Sequence, residues 1–182
     1  MNHYSTKSKS FLVMGVHANE IGLAYVQDGK LCDTVQFNYS QDLDSSSYPN
    51  ITRVWPQIKS YFDKVDDILA YNLVVHKTNL KEILAYHGLE LPKKKYVCVY
   101  YWARAVLGTT SLKSIYEAIN TPAIPNHVLS PLILTDSEHQ AELIALIALY
   151  LQNLPTGTSS LEGTVKSMAP ESLVTMEKQT IY

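Results

Sequence analysis

Phe11-Leu-Val-Met-Gly-Val-His-Ala-Asn-Glu-Ile-Gly-Leu-Ala-Tyr-Val-Gln-Asp-Gly-Lys-Leu-Cys-Asp-Thr-Val-Gln-Phe-Asn-Tyr39 decides the fold class. Its opening, Phe11–Val16, is a short apolar run of strand length. Ile21–Gln27 is a second such run. Asp28-Gly29 behind it is a hairpin signal, because both residue types accept the positive φ of a tight turn. Lys30–Tyr39 then alternates, with Leu31, Val35 and Phe37 spaced for one face of a strand. Three short strands in succession predict an antiparallel meander.

Beyond the meander the period changes. Residues 40–53 read as a polar loop. Trp55, Ile58, Tyr61 and Phe62 then form a helical stripe, with Pro56 expected in the first turn. Ile68–Tyr71 is a strand candidate. In His76–His87, Leu80, Ile83, Leu84 and His87 repeat at helical spacing, and Gly88 stops the helix. Val97–Leu107 and Ser111–Ile119 are further helix expectations. Thr135-Asp-Ser-Glu138 has the spacing of a capping box, and Ala141–Leu151 behind it is apolar nearly all round, as a mostly buried helix would be. Strands followed by alternating helix and strand predict an α/β domain with a mixed sheet and flanking helices.

Composition narrows the function classes. The 182 residues are 46% apolar, which excludes global disorder. Fifteen basic against 17 acidic residues exclude a generally basic, nucleic-acid-coating protein. Two cysteines make no disulfide framework; Cys32 and Cys98 read as buried small hydrophobes. Lys7 and Lys9 before Phe11–Val16 mimic a signal peptide, but the apolar run is shorter than such a segment needs. Ala141–Leu151 is too short to span a membrane, so a soluble, cytoplasmic protein without membrane contact is expected. Tyrosine is over-represented, 13 against 3 phenylalanines.

Six segments, in order, then carry a likeness. Phe11–His17 stands where an Asp-x-Glu strand belongs, and Ile21–Lys30 resembles the strand and turn after it. Val54–Phe62 matches a helix before a second motif. That motif, His-Asn-x-x-Phe-Asp-x-x-x-Leu, is echoed by Tyr71-Asn-Leu-Val-Val-His76-Lys-Thr-Asn-Leu80 and followed by Gly88-Leu-Glu-Leu-Pro92. Val97-Cys-Val-Tyr-Tyr-Trp-Ala-Arg104 looks like a Val-Cys-Thr…Leu-Ala-Arg helix, and Asp136-Ser-Glu-His-Gln-Ala141 resembles an Asp-Ala-x-x-x-Ala motif. Together they resemble the DEDD 3′–5′ exonucleases, the superfamily of ribonuclease T and bacterial proofreading subunits. The resemblance covers most of residues 11–150 and implies a ribonuclease H-like fold. The exonuclease-like domain is then 11–154, between a polar N-terminal tail, 1–10, and a Thr/Ser/Gly-rich C-terminal tail, 155–182, in which a short docked segment is the alternative.

The resemblance also implies four carboxylates that hold two divalent metal ions. Here the first Asp falls on Gly15, the Glu on His17 and the second Asp on His76. Only Asp136 remains as the catalytic acid. The general-base His falls on Pro131, with His127 as a substitute only across an insertion, and the motif-two His is Tyr71. The expectation is a degenerate exonuclease domain that has lost nuclease activity and acts as a binding or interaction module, with no cofactor. The alternatives are an active 3′–5′ exonuclease with rewired ligands and a non-cleaving nucleic-acid binder. In the first, His17, His76 and Asp136, with His139 one turn on, would hold Mn²⁺, Zn²⁺ or Fe²⁺ rather than Mg²⁺. A protein partner or weakly bound single-stranded nucleic acid is expected, and relatives that pair allow a homodimer. Lys93-Lys94-Lys95 reads as a solvated loop, with a phosphate-contact patch as the sharper reading. Tyr100, Tyr101 and Trp102 read as core packing with one exposed ring rather than as base-stacking groups.

Overall fold

The computed structural model describes residues 7–41, 47–109, 115 and 136–154. Five strands form one mixed sheet: β1 (Phe11–Val16), β2 (Glu20–Gln27), β3 (Lys30–Asn38), β4 (Asp67–Ala70) and β5 (Lys95–Cys98), in the order β3-β2-β1-β4-β5. β1, β2 and β3 are the antiparallel meander, and β4 and β5 run parallel to β1. The helices are α1 (Ile51–Asp63), α2 (Leu73–Tyr86), α3 (Val99–Leu107) and α4 (Ser137–Asn153). This is the α/β, ribonuclease H-like arrangement of a mixed sheet with flanking helices.

β1 is buried at every position because it lies at the centre of the sheet with helices over both faces. Phe11 and Val13 face a core shared with Val97, Trp102 of α3 and Ile144, Ile147 and Ala148 of α4. Leu12, Met14 and Val16 face the opposite core, shared with Trp55, Ile58 and Phe62 of α1 and Leu80 and Leu84 of α2. Period-two alternation therefore sends neighbouring residues of one strand into two different cores. Among the described residues no helix is long and apolar enough to cross a membrane.

Several boundaries differ from the sequence reading, each for a local reason. α1 begins inside the expected polar loop, because the Asn50 side chain accepts from the Thr52 N–H at 3.0 Å and caps the helix there. Pro56 accordingly lies in the second turn, where its missing N–H leaves the Thr52 carbonyl without its helical partner. α2 starts at Leu73, three residues before His76, as soon as β4 ends. Val97 and Cys98 are the end of β5 and not the start of a helix. Their pairing with Leu69 and Ala70 outweighs the helical pattern that begins at Val99. α4 is capped by Asp136, whose carboxylate accepts from the His139 N–H at 2.9 Å. Glu138 accepts from Thr34 Oγ1 at 2.8 Å.

Cys98 is buried, but Cys32 is exposed, in correction of the expectation for both. It is the extra residue of a β-bulge, where Tyr25 pairs with Asp33 and Val26 with Leu31. The last residues of the expected N-terminal tail are tied down: Lys9 O accepts from the Gly29 N–H at 2.8 Å and Ser8 O from Gln152 Nε2 at 2.8 Å. The helix expected over Ser111–Ile119 lies, Ile115 apart, outside the described residues, as do Thr135 and the segment 155–182. Ile115 itself is buried in the core that includes residues of β1, α3 and α4.

Candidate active site

The site is built at the carboxyl ends of β1 and β4. β1 ends at Val16, so His17 emerges at that edge, and α2 leaves the same edge after β4. His76, in the second turn of α2, is 8% exposed. Its Nδ1 accepts from the Val16 N–H at 3.0 Å, so the ring completes a hydrogen bond that β4 is too short to supply. Burial pushes the His76 pKa below its ordinary value; the nearby Val16 carbonyl opposes this, and His17 adds to it. The same Nδ1 lies 3.2 Å from the Val16 carbonyl oxygen. His17 lies beside it, with ring centroids 6.2 Å apart. His17 Nε2 is 3.1 Å from Gln140 Oε1.

The first turn of α4 closes over the other side of β1. Gly15 and Gly22 are direct partners in the β1–β2 ladder, and together they leave a hollow in the sheet. Ser137, fully buried, fills it. A Cβ on Gly15 would stand 3.0 Å from the Ser137 carbonyl oxygen and 3.1 Å from Gln140 Oε1. A Cβ on Gly22 would overlap the Ser137 carbonyl group and the Glu138 nitrogen outright. Glu20 fixes the turn, its Oε1 accepting from the Ser137 N–H at 3.0 Å and its Oε2 from Gln36 Nε2 at 3.0 Å. A carboxylate on the amide at a helix start is favourable both as a hydrogen bond and against the helix dipole.

Asp136 is turned to its own helix. One oxygen caps the His139 N–H and the other pairs with His139 Nδ1 at 2.5 Å. Partial burial pushes its pKa up, but the hydrogen bonds and charge of His139 outweigh that and hold the carboxyl below its ordinary value. The structure therefore brings His17 and His76 together and engages Asp136 with His139. Among the described residues no group of three or more His, Cys, Asp or Glu side chains is placed to hold a metal ion. The donor set also fits a pair of Mg²⁺ ions poorly, since Mg²⁺ takes oxygen ligands. Gly15 offers none, His17 and His76 offer nitrogen, and both Asp136 oxygens are engaged. Pro131 and His127 lie outside the described residues.

Tyr71, which the resemblance sets in the place of the motif-two His, packs edge-to-face on Tyr100 at 5.6 Å. Its hydroxyl pKa is pushed up to about 12, first by burial and then by Tyr100 and Cys98. Trp102 is in the core, Tyr100 half-buried and Tyr101 exposed, in keeping with packing plus one outward ring. Lys93–Lys95 lead into the amino end of β5, the edge opposite to His17 and His76, and Lys95 Nζ pairs with Asp67 at 3.2 Å. Sequence reasoning missed Glu20, Gly22 and Gln140. The glycine pair was the available signal: strands joined by a short turn put Gly15 opposite Gly22, and two facing glycines invite close backbone approach.

No protein-family model and no curated protein matches the chain. Solved structures do. The structure titled "3'-end specific recognition of histone mRNA stem-loop by 3'-exonuclease" superposes with a TM-score of 0.62 at 11% identity, covering 81% of this chain and 83% of that one. "Exonuclease X in complex with 5' overhanging duplex DNA" gives a TM-score of 0.53 at 14% identity, covering 79% and 91%. The fold is that of the 3′-exonucleases. At these identities the likeness is one of architecture, and the chemistry has to be argued from this chain's own residues.

Proposed function

We propose that this chain is an exonuclease-fold domain that has given up two-metal hydrolysis and works by binding. One observation carries the reading: Gly15, where the resemblance expects the first metal-holding Asp, is packed against the Ser137 carbonyl. A carboxylate there would meet a backbone oxygen instead of an ion. The engagement of Asp136 with His139, and of His76 Nδ1 with the Val16 N–H, supports the same reading. Two-metal hydrolysis needs ions that polarise the phosphate, generate the hydroxide nucleophile and stabilise the leaving oxygen. Nothing in the His17, His76 and Asp136 set supplies the oxygen-rich charge that such a pair of ions demands.

The two solved structures are of exonucleases with a DNA duplex and with a histone mRNA stem-loop. For this chain a protein partner is the better fit. Phosphate contacts are made by basic side chains, whereas Glu82 lines the cavity beside His17 and Glu20 starts β2 at the same edge. The test is a nuclease assay with 3′-ended single-stranded DNA and RNA in Mg²⁺ or Mn²⁺. Substrate loss should not exceed that in buffer. Robust degradation by pure protein, reduced by His17→Ala or Asp136→Ala, would sink the reading and favour rewired ligands.

A further inference from the structure

We infer that a cavity beside His17 seats a cationic side chain, a guanidinium or ammonium group, of a protein partner. The cavity has a volume of about 320 Å³ and lies between the turn after β1 and the outer face of α2. Asn79, Glu82, Ile83 and Tyr86 line it from α2, at the spacing that puts four residues on one helix face. His17 and Gln41 close the other side.

The polar groups of the lining give the ligand its sign. Gln41 Nε2 donates to the Ala18 carbonyl at 3.2 Å, which leaves its Oε1 without a partner among the described residues. Glu82 and Asn79 make no side-chain hydrogen bond or ion pair with other described residues. Among the described residues Glu82 is the one carboxylate on the lining, and no lysine or arginine lines it. Ile83, 8% exposed, provides an apolar floor, and Tyr86, 79% exposed, provides a ring held edge-to-face by His87 at 5.0 Å. An apolar floor, an aromatic ring and unpaired acceptors around a carboxylate are what a cation on an aliphatic stem needs. A phosphate would meet a carboxylate and, among the described lining residues, no lysine or arginine to compensate it. The cavity therefore gives the binding reading above, on which it rests, a partner chemistry: a lysine or arginine at the tip of a protein segment.

The experiment titrates N-acetyl-arginine methylamide into the full-length ¹⁵N-labelled chain and follows the amides of Ala18, Asn79, Glu82 and Ile83. Saturable shifts are expected with a Kd on the order of millimolar, as suits a single side chain. The citrulline counterpart, equal in shape and neutral, should bind about tenfold more weakly. Glu82→Gln should weaken arginine binding to a similar degree, and Tyr86→Ala should weaken it about threefold. Both are surface substitutions, and an unchanged remainder of the spectrum checks the fold. Equal binding of the citrulline compound, indifference to Glu82→Gln, or no saturable shift overturns the inference. A single-stranded oligonucleotide that shifts these same amides more strongly overturns it too. Nuclease activity of the wild type would defeat the proposed function while leaving the arginine titration to stand or fall by itself.

Discussion

Gly22→Ala should destabilise the protein by about 3 kcal/mol or more, the upper range for overpacking a core. The added methyl has no room, because it falls on the Ser137 carbonyl group, which is backbone and cannot swing aside as a side chain would. Relief requires the first turn of α4 to lift from the sheet. That would stretch the hydrogen bonds from the Ser137 N–H to Glu20 and from Thr34 to Glu138. In thermal unfolding the expected loss is roughly 6–12 °C for a domain of this size. Gly15→Ala should cost less, about 1 kcal/mol, since its methyl is only tight, at 3.0 and 3.1 Å. Gly15→Asp should cost more than Gly15→Ala, because it adds an oxygen that must point at the Ser137 carbonyl. If Gly22→Ala and Gly15→Asp both melt with the wild type, α4 does not sit on the sheet as described, and the filled site goes with it.

His76 should give the protein an acid-sensitive stability. Its folded pKa lies below the ordinary 6.5, so the unfolded chain takes up the proton first. Its contribution is therefore complete above pH 6.5 and shrinks as the pH falls from 6.5 toward the folded value. Protonation would also take away the Nδ1 lone pair that accepts from the Val16 N–H. His76→Leu removes the titration and leaves that buried N–H without a partner, at a cost of about 1–3 kcal/mol at neutral pH. Chemical denaturation at several pH values should then show the variant less stable at pH 7.5 and the gap to wild type closing toward pH 5. A gap that stays constant with pH would mean that His76 is charged or exposed.

Much of the fold was legible in residues 11–39. Short apolar runs and the Asp28-Gly29 turn specify a meander locally, and the pairing of β1 with β2 follows from chain proximity. The helical stripes of α1, α2 and α4 were readable for the same reason. β5 was hidden because Tyr96-Val97-Cys98 runs straight into the α3 pattern, and only its partner β4 makes it a strand. The start of α1 was hidden because its cap is Asn50, in a segment whose composition reads as loop.

Order along the chain assigned His17, His76 and Asp136 to the places that the resemblance implies. It did not reveal that Asp136 turns back to His139, nor that Glu20 binds the start of α4, because both depend on how α4 meets the sheet. The tyrosine excess gains a partial physical account. Tyr39, Tyr61 and Tyr96 donate their hydroxyls to the His17 carbonyl, Asp33 and the Pro92 carbonyl. A tyrosine can bury its ring and still satisfy its polar tip, which phenylalanine cannot do.

The central claim is that this fold no longer holds a pair of divalent ions where Gly15, His17, His76 and Asp136 stand. Titrating Mn²⁺ into the full-length chain, with the free-ion EPR signal as the readout, tests it most directly. The signal should rise with each addition as it does in buffer, and Asp136→Ala should change nothing. Two bound equivalents with a Kd on the order of micromolar, lost in Asp136→Ala, would contradict it.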